Sequence, residues 1–258
     1  MNNLNLKSIA ENLLETFLEA GRVAKDISQK GVKITIKADK TPVTDGDMAV
    51  DKILRDKISK LTPQIPIISE ETTDLEKKNK NKTFWLIDPI DGTRQYIKKE
   101  SEYTLNAALI INLKPELGIV YAPYYDRLFF SYGKGFSFEI KQGKKMILNC
   151  EKKNPNEIIG LTNSDVTPSE VLEIYKKYNV SKSVKMSSSL KFCVIAAGEA
   201  DIYAAKARAF EWDIAAGHAV LEGANGSVRT YDLKEVLYGK KNFKNLPIIA
   251  KGKIKDVK

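Results

Sequence analysis

The sequence predicts a mixed fold of the α+β / α/β class, with helices packed on sheet in two closely joined subdomains, residues 1–155 and 156–258. Three observations predict it. Residues 6–23 carry apolar side chains at helical spacing, residues 103–148 read almost entirely as short strands between turns, and from Ile158 onward strand and helix patterns alternate. Elements of these kinds bury their apolar faces by stacking in layers around shared cores. No repeat or low-complexity linker interrupts the chain, and the division near residue 155 is a soft one.

The elements follow in order. Leu6, Ile9, Leu13, Leu14, Phe17, Leu18 and Val23 make one face of an opening amphipathic helix. Val32, Ile34 and Ile36 alternate as a short strand. A second helix sets Val50, Ile53, Leu54, Ile58 and Leu61 on one face and stops near Pro63, because proline lacks the amide that a helix interior needs. Residues 66–69 are strand-like and deliver Glu70 and Glu71. A polar, lysine-rich loop over 72–82 leads to the apolar strand Trp85-Leu86-Ile87-Asp88. Strands then occupy 104–112, 117–121, 128–132, 136–140 and 145–148, separated by Pro123, Gly133-Lys134-Gly135 and Gln142-Gly143. This spacing predicts an antiparallel meander. In the second half, Thr167-Pro168-Ser169-Glu170 has capping-box spacing with proline at the first helical position. Further helices are predicted from Ser188 or Ser189, and from Glu211-Trp212-Asp213 to Gly223.

Bulk composition narrows the function classes. The chain has 258 residues, 43% hydrophobic and 29% charged, enough to bury a large core without staples. Its net charge is +9, but the lysines are scattered and no basic stripe is interleaved with aromatics. A nucleic-acid polymer is therefore not the expected partner, whereas a basic surface suits small anionic substrates. Only Cys150 and Cys193 are present, which points to a reducing compartment rather than a disulfide framework. The amino-terminal helix carries Glu11, Glu15 and Glu19 and does not resemble a secretory signal, and no apolar run approaches the ~20 residues of a membrane span. A cytoplasmic protein is expected.

Several chemistries are poorly served. The single histidine, His218, lies on a helix face where packing is the simpler role. The position six residues after Cys150 is Asn156, and after Cys193 it is Glu199, so the arginine of a cysteine phosphatase is missing. Neither G-x-x-x-x-G-K-[ST] nor G-x-G-x-x-G occurs, and one histidine with two distant cysteines is a poor zinc set.

Acids at turns remain. Asp88 and Asp91 flank Pro89-Ile90 in what reads as a tight turn that can aim both carboxylates and the Ile90 carbonyl at one point, with Gly92 allowing close backbone approach. Hard oxygen donors of this kind suit Mg²⁺ or Mn²⁺. Taken alone, D-P-I-D-G-T equally fits an ordinary turn with solvated carboxylates. Glu70 and Glu71 could be a surface pair. Asp213 could be a first-turn acid stabilised by its helix dipole, and capping would explain Asp45 and Asp47.

Their conjunction is more specific. Asp47 in T-D-G-D, Glu70 in S-E-E, residues 88–93 in D-P-I-D-G-T and residues 211–217 in E-W-D-I-A-A-G resemble, in order and spacing, the motifs of the lithium-sensitive, magnesium-dependent phosphomonoesterases of the inositol monophosphatase superfamily. That resemblance implies a layered helix–sheet–helix–sheet–helix sandwich. It implies that Glu70, Asp88 and the Ile90 carbonyl hold one Mg²⁺ and that Asp88, Asp91 and Asp213 hold a second, with a third ion weakly bound beside Glu70. Mn²⁺ is expected to substitute and Li⁺ to inhibit. Thr93, paired with Asp47, and Glu70 would orient and deprotonate the attacking water, and the backbone at Gly92 and Thr93 would hold phosphate oxygens. Glu71 is left a supporting or surface role.

Ser187-Ser188-Ser189-Leu190-Lys191-Phe192-Cys193, E-Y-T-L-N at 102–106 and G-I-V-Y-A-P at 118–123 are similar to the CysQ-like bacterial bisphosphate nucleotidases within that superfamily. This implies hydrolysis of adenosine 3′,5′-bisphosphate to AMP and phosphate, with the 5′-phosphosulfate relative as a second substrate and a role beside sulfate activation. Substrate contacts would come from Glu70, Ile90, Asp91, Gly92, Thr93 and Asp213 at the scissile phosphate, and from Ser188, Ser189 and Lys191 at the second phosphate. Two departures weigh on the nucleotide: Thr162-Asn163-Ser164-Asp165 replaces the branch's S-R-S-H, and Arg94-Gln95-Tyr96 replaces K-E-F. An inositol- or sugar-phosphate phosphatase is the alternative, and a noncatalytic phosphate sensor on the same fold is a third reading. The relatives imply a monomer or homodimer with at most peripheral contact to the inner membrane.

Overall fold

The computed structural model describes residues 4–37, 41–74, 79–151 and 157–254. The boundary near residue 155 and positions 75–78 of the lysine-rich loop lie outside the described residues. The first half contains α1 (Leu6–Lys30), β1 (Ile34–Ile36), β2 (Pro42–Thr44), α2 (Asp45–Leu61), β3 (Ile67–Ser69), β4 (Phe84–Asp91), α3 (Thr93–Ile97), β5 (Thr104–Ile111), β6 (Lys114–Ala122), β7 (Arg127–Ser131), β8 (Ser137–Lys141) and β9 (Lys144–Ile147). The second contains β10 (Ile159–Thr162), α4 (Ser169–Lys177), β11 (Lys182–Lys185), α5 (Leu190–Ala196), β12 (Ile202–Ala205), α6 (Glu211–Gly223), β13 (Ser227–Thr230) and β14 (Ile248–Lys251).

Strands β3 to β9 form one seven-stranded sheet in sequence order, antiparallel except for the parallel β3–β4 pair. The expected meander is present. A mixed five-stranded sheet takes the order β11-β10-β12-β14-β13. Alternation along the strands of the first sheet separates two cores. Trp85, Ile87, Leu105, Leu109 and Ile119 face Leu13 and Phe17 of α1 and Leu54 and Ile58 of α2. Phe84, Leu86, Ala108, Val120 and Phe129 face α5 and α6, which in turn meet Leu161, Tyr203, Val228 and Ala250 of the second sheet. On that sheet's far face, Val171, Ile174 and Tyr175 of α4 cover Ile202, Ala204 and Ile249. The layers are thus helix, sheet, helix, sheet, helix.

The central helix α6 is apolar nearly all round because it lies between two sheets. Gly118 of β6 lets the helix settle directly on that strand, since a Cβ there would collide with the Ala216 carbonyl oxygen. Among the described residues no helix is long and apolar enough to cross a membrane.

Three local expectations are corrected. Asp88-Pro89-Ile90-Asp91 is not a turn after a strand. It remains within β4, where Asp88 pairs with Asn106 and Asp91 with Thr104, so one extra residue makes a bulge. Proline is tolerated there because a bulge leaves a ladder position unpaired, and the bulge re-aims neighbouring side chains. Strand β6 starts at Lys114 rather than 117, since Asn112 and Leu113, both at positive φ, form a two-residue hairpin turn. Helix α4 begins at Ser169 with Pro168 as its cap residue and has no side-chain capping bond. Its Glu170 carboxylate instead pairs with Lys206 at 2.7 Å.

Candidate active site

Three carboxylates from three elements converge. Glu70 follows β3, Asp88 sits at the bulge of β4, and Asp213 lies in the first turn of α6. One oxygen of each falls within 4.8 Å of the others. Asp88 is 1% exposed, and its Oδ1 has no hydrogen-bond partner among the described residues. Burial, and then the charges of Glu70, Asp91 and Asp213, raise the Asp88 carboxyl well above its ordinary value. Burial followed by Asp91 and Glu70 does the same at Asp213. Burial pushes Glu70 up to about 7 although Lys37 pulls the other way. Three carboxylates crowded together with only Lys37, at the Glu70 flank, as a near counter-charge among the described residues are unfavourable, and the partnerless oxygen of the buried Asp88 makes the cluster a place for a cation. An all-oxygen donor set fits a hard divalent ion such as Mg²⁺.

The bulged strand also sets the turn beyond it. Gly92 takes φ +94 at the start of α3, and a Cβ there would lie 2.9 Å from the Glu102 carbonyl oxygen, so only glycine fits without strain. Asp91 lines the same cleft, and its Oδ2 accepts the Ser189 N–H at 2.5 Å. Burial raises Asp91, against the pull of Lys191 and that N–H.

Other anticipated residues have different partners from those expected. Asp47 Oδ2 accepts the Thr44 N–H at 2.7 Å and the Thr44 hydroxyl at 2.6 Å, and Thr44 Oγ1 accepts from the Asp47 N–H, a capping box at the start of α2. No Asp47–Thr93 bond exists among the described residues. The Thr93 hydroxyl donates to the Ile90 carbonyl at 3.2 Å. The capping alternative for Asp47 therefore holds. Glu71 is not a surface acid: its side chain is 4% exposed and pairs with Lys37 Nζ at 2.8 Å, while the same ammonium lies 3.5 Å from Glu70 Oε1.

The serine-rich loop divides its tasks. Ser188, at φ +56, lines the cleft, and its carbonyl accepts from Lys191 Nζ. Ser189 instead turns inward, with its hydroxyl donating to Asn106 Oδ1 and meeting Thr104 Oγ1 at 2.9 Å. Lys191 is 5% exposed, lies 5.0 Å above the Tyr203 ring, and is lowered by burial to about 8, with Asp91 and Glu102 opposing. His218 packs as expected: it is buried, with Nδ1 2.8 Å from the Tyr238 hydroxyl.

A cleft of about 550 Å³ is lined by Glu70, Asp88, Asp91 and Asp213 together with Ser187, Ser188, Lys191 and Arg208. Sequence reasoning missed Lys37, which the β1–β2 hairpin brings across to Glu70. It also missed the Thr104–Asn106–Ser189 network, whose available signal was two polar residues inside the otherwise apolar strand β5. Arg208, on the turn between β12 and α6, gave no sequence signal.

The chain matches the model of the inositol monophosphatase family over residues 5–255. It is 40% identical over 207 residues to the 3′(2′),5′-bisphosphate nucleotidase CysQ of Buchnera aphidicola, covering 79% of this chain and 77% of that one. It is 35% identical over 211 residues to CysQ of Escherichia coli K12, covering 81% and 84%. The crystal structure of CysQ from Bacteroides thetaiotaomicron, at 26% identity, superposes with a TM-score of 0.80 over 98% of this chain and 100% of the other. With carboxylates converging on the D-P-I-D-G-T bulge and a family match along almost its whole length, the chain belongs to the inositol monophosphatase family.

Proposed function

We propose that this protein is a magnesium-dependent 3′(2′),5′-bisphosphate nucleotidase that hydrolyses adenosine 3′,5′-bisphosphate to AMP and phosphate. The observation that carries the reading is the pairing, within one cleft, of an acidic trio and a basic corner: Glu70, Asp88 and Asp213 beside Lys191. A metal-dependent phosphomonoesterase needs the first, and a second phosphate on the substrate gives a reason for the second. The nucleotidase relatives at 40% and 35% identity support the same substrate.

Glu70, Asp88 and Asp213 would hold the ion, with Asp91 and the Ile90 carbonyl completing the set. Bound magnesium supplies charge neutralisation for phosphate oxygens and a more acidic water. The remaining work falls to the chain. The Glu70 carboxylate, one of the converging trio, accepts the proton of the attacking water. Backbone N–H groups at Gly92 and Thr93 hold phosphate oxygens, and the Thr93 hydroxyl orients the water. The bond from phosphorus to the 3′ oxygen breaks, and that oxygen takes up the proton held by Glu70, directly or through solvent, to become the AMP hydroxyl. Mn²⁺ is expected to replace Mg²⁺, and Li⁺ to inhibit.

A second reading, hydrolysis of inositol or sugar monophosphates, is favoured by the segment at 163–165. Asn163 Nδ2 donates to the Tyr203 hydroxyl at 2.7 Å, and Asp165 pairs with Lys185 at 2.9 Å, so this segment offers the cleft no cation. Phosphate release from adenosine 3′,5′-bisphosphate and inositol 1-phosphate, measured side by side with Mg²⁺, separates the two. Preference for the bisphosphate is expected, and preference for inositol 1-phosphate would overturn the nucleotidase assignment.

A further inference from the structure

We propose that Arg208 is the residue that selects a substrate carrying a second phosphate. The assignment rests on the bisphosphate reading and deepens it. Four cationic side chains line the cleft: Arg94, Lys191, Lys206 and Arg208. Two are committed elsewhere. Lys191 is buried and donates to the Ser188 carbonyl, and Lys206 pairs with Glu170 at 2.7 Å. Among the described residues Arg208 makes no hydrogen bond or ion pair, and it is exposed. A free guanidinium at the mouth of a polar cleft is a ready partner for a dianion, since its planar fork matches two phosphate oxygens.

Position separates Arg208 from Arg94. The turn that carries Arg208 joins β12, which holds Tyr203, to α6, which holds Asp213. Its charge acts on Asp91, Asp213, Lys191 and Tyr203 together. Arg94 is not among the principal charges acting on those groups. Arg208 also borders a second cavity of about 210 Å³ that adjoins the first through Asn163, Tyr203 and Ala209. A substrate with its scissile phosphate at the acidic trio would extend toward this corner, where Lys191 supplies buried positive charge and Arg208 the direct contacts.

The test is the ratio of kcat/KM for adenosine 3′,5′-bisphosphate to that for adenosine 3′-monophosphate, in the Mg²⁺-loaded wild type, R208Q, R208K and R94Q. Wild type should favour the bisphosphate. R208Q should lower the ratio about tenfold or more, mainly through KM of the bisphosphate, and R208K should recover part of it. A wild-type preference that survives in R208Q, or that R94Q removes instead, would overturn the assignment while leaving the nucleotidase reading intact. A wild type with no preference for the second phosphate would end both. Thermal unfolding of each variant separates loss of contact from loss of fold.

Discussion

The backbone N–H of Ser189 donates to Asp91 Oδ2 at 2.5 Å across 98 residues of sequence. Through that bond the start of α5, which carries Lys191, is tied to the strand that carries Asp88 and Asp91. The Ser189 hydroxyl continues inward to Asn106, which stands opposite Asp88 in the β4–β5 ladder. A polar relay thus runs from the second half of the chain to the back of the bulge that carries Asp88.

Asn106→Ala should therefore disturb the site from behind. It takes the Asn106 acceptor from the buried Ser189 hydroxyl and leaves Thr104 as its remaining partner, at a cost of about 1 kcal/mol. Thermal unfolding should register the loss and steady-state kinetics a fall in kcat/KM. A variant with unchanged melting temperature and rate would contradict the relay.

Gly92→Ala tests the turn that follows the bulge. Left-handed backbone costs a non-glycine residue roughly 1–2 kcal/mol, and the added Cβ would also press against the Glu102 carbonyl oxygen 2.9 Å away. Lower stability and lower activity together are expected. Retention of both would show that the turn relaxes freely.

Asp88→Asn should have opposite effects with and without metal. In EDTA it removes an uncompensated buried charge, so the melting temperature should rise, by about 2–4 °C per kcal/mol recovered. In wild type, Mg²⁺ at a hundred times its Kd should stabilise by about 2.7 kcal/mol. That increment should shrink or vanish in the variant, with activity lower by roughly 10²-fold or more. A variant that gains as much from Mg²⁺ as wild type would remove Asp88 from the metal set.

Acid stability depends on a cluster at the far end of α6. Burial alone would raise Glu222, but His218 and Arg229 outweigh it and hold the carboxyl down at about 2, below its ordinary 4.5. A carboxyl depressed on folding stabilises above its unfolded pKa, and that contribution is lost as pH falls through the folded one. Stability should decline between about pH 4.5 and 2 in wild type. Glu222→Gln should flatten that slope, which melting curves across this range would reveal.

How much of this was legible in the sequence follows from what each signal depends on. The meander and the helical faces were readable because burial imposes a period of two or of 3.6 on apolar residues. D-P-I-D-G-T and E-W-D-I-A-A-G were readable through their resemblance to the family's motifs; taken alone the first read as a turn, whereas the strand continues through it as a bulge. Which way a polar group points was not readable. Ser189 turns into the core and Thr93 bonds Ile90, although each lies within the matched motifs, whereas the helix cap formed by Asp47 was legible as the plain alternative. Those choices depend on neighbours brought in by tertiary packing, as with Lys37, whose hairpin places it beside Glu70 and Glu71 from 33 and 34 residues away. Asn112-Leu113 was missed as a turn because leucine rarely adopts left-handed backbone.

The most direct test of the central claim is the initial rate of phosphate release from adenosine 3′,5′-bisphosphate as Mg²⁺ is returned to EDTA-stripped protein, run beside Asp213→Asn. Wild type should be silent without metal and active with it, and Asp213→Asn should stay near silence at the Mg²⁺ concentration that saturates wild type. Equal rates with and without EDTA, or equal rates in the two proteins, would contradict a metal-dependent phosphatase built on Glu70, Asp88 and Asp213.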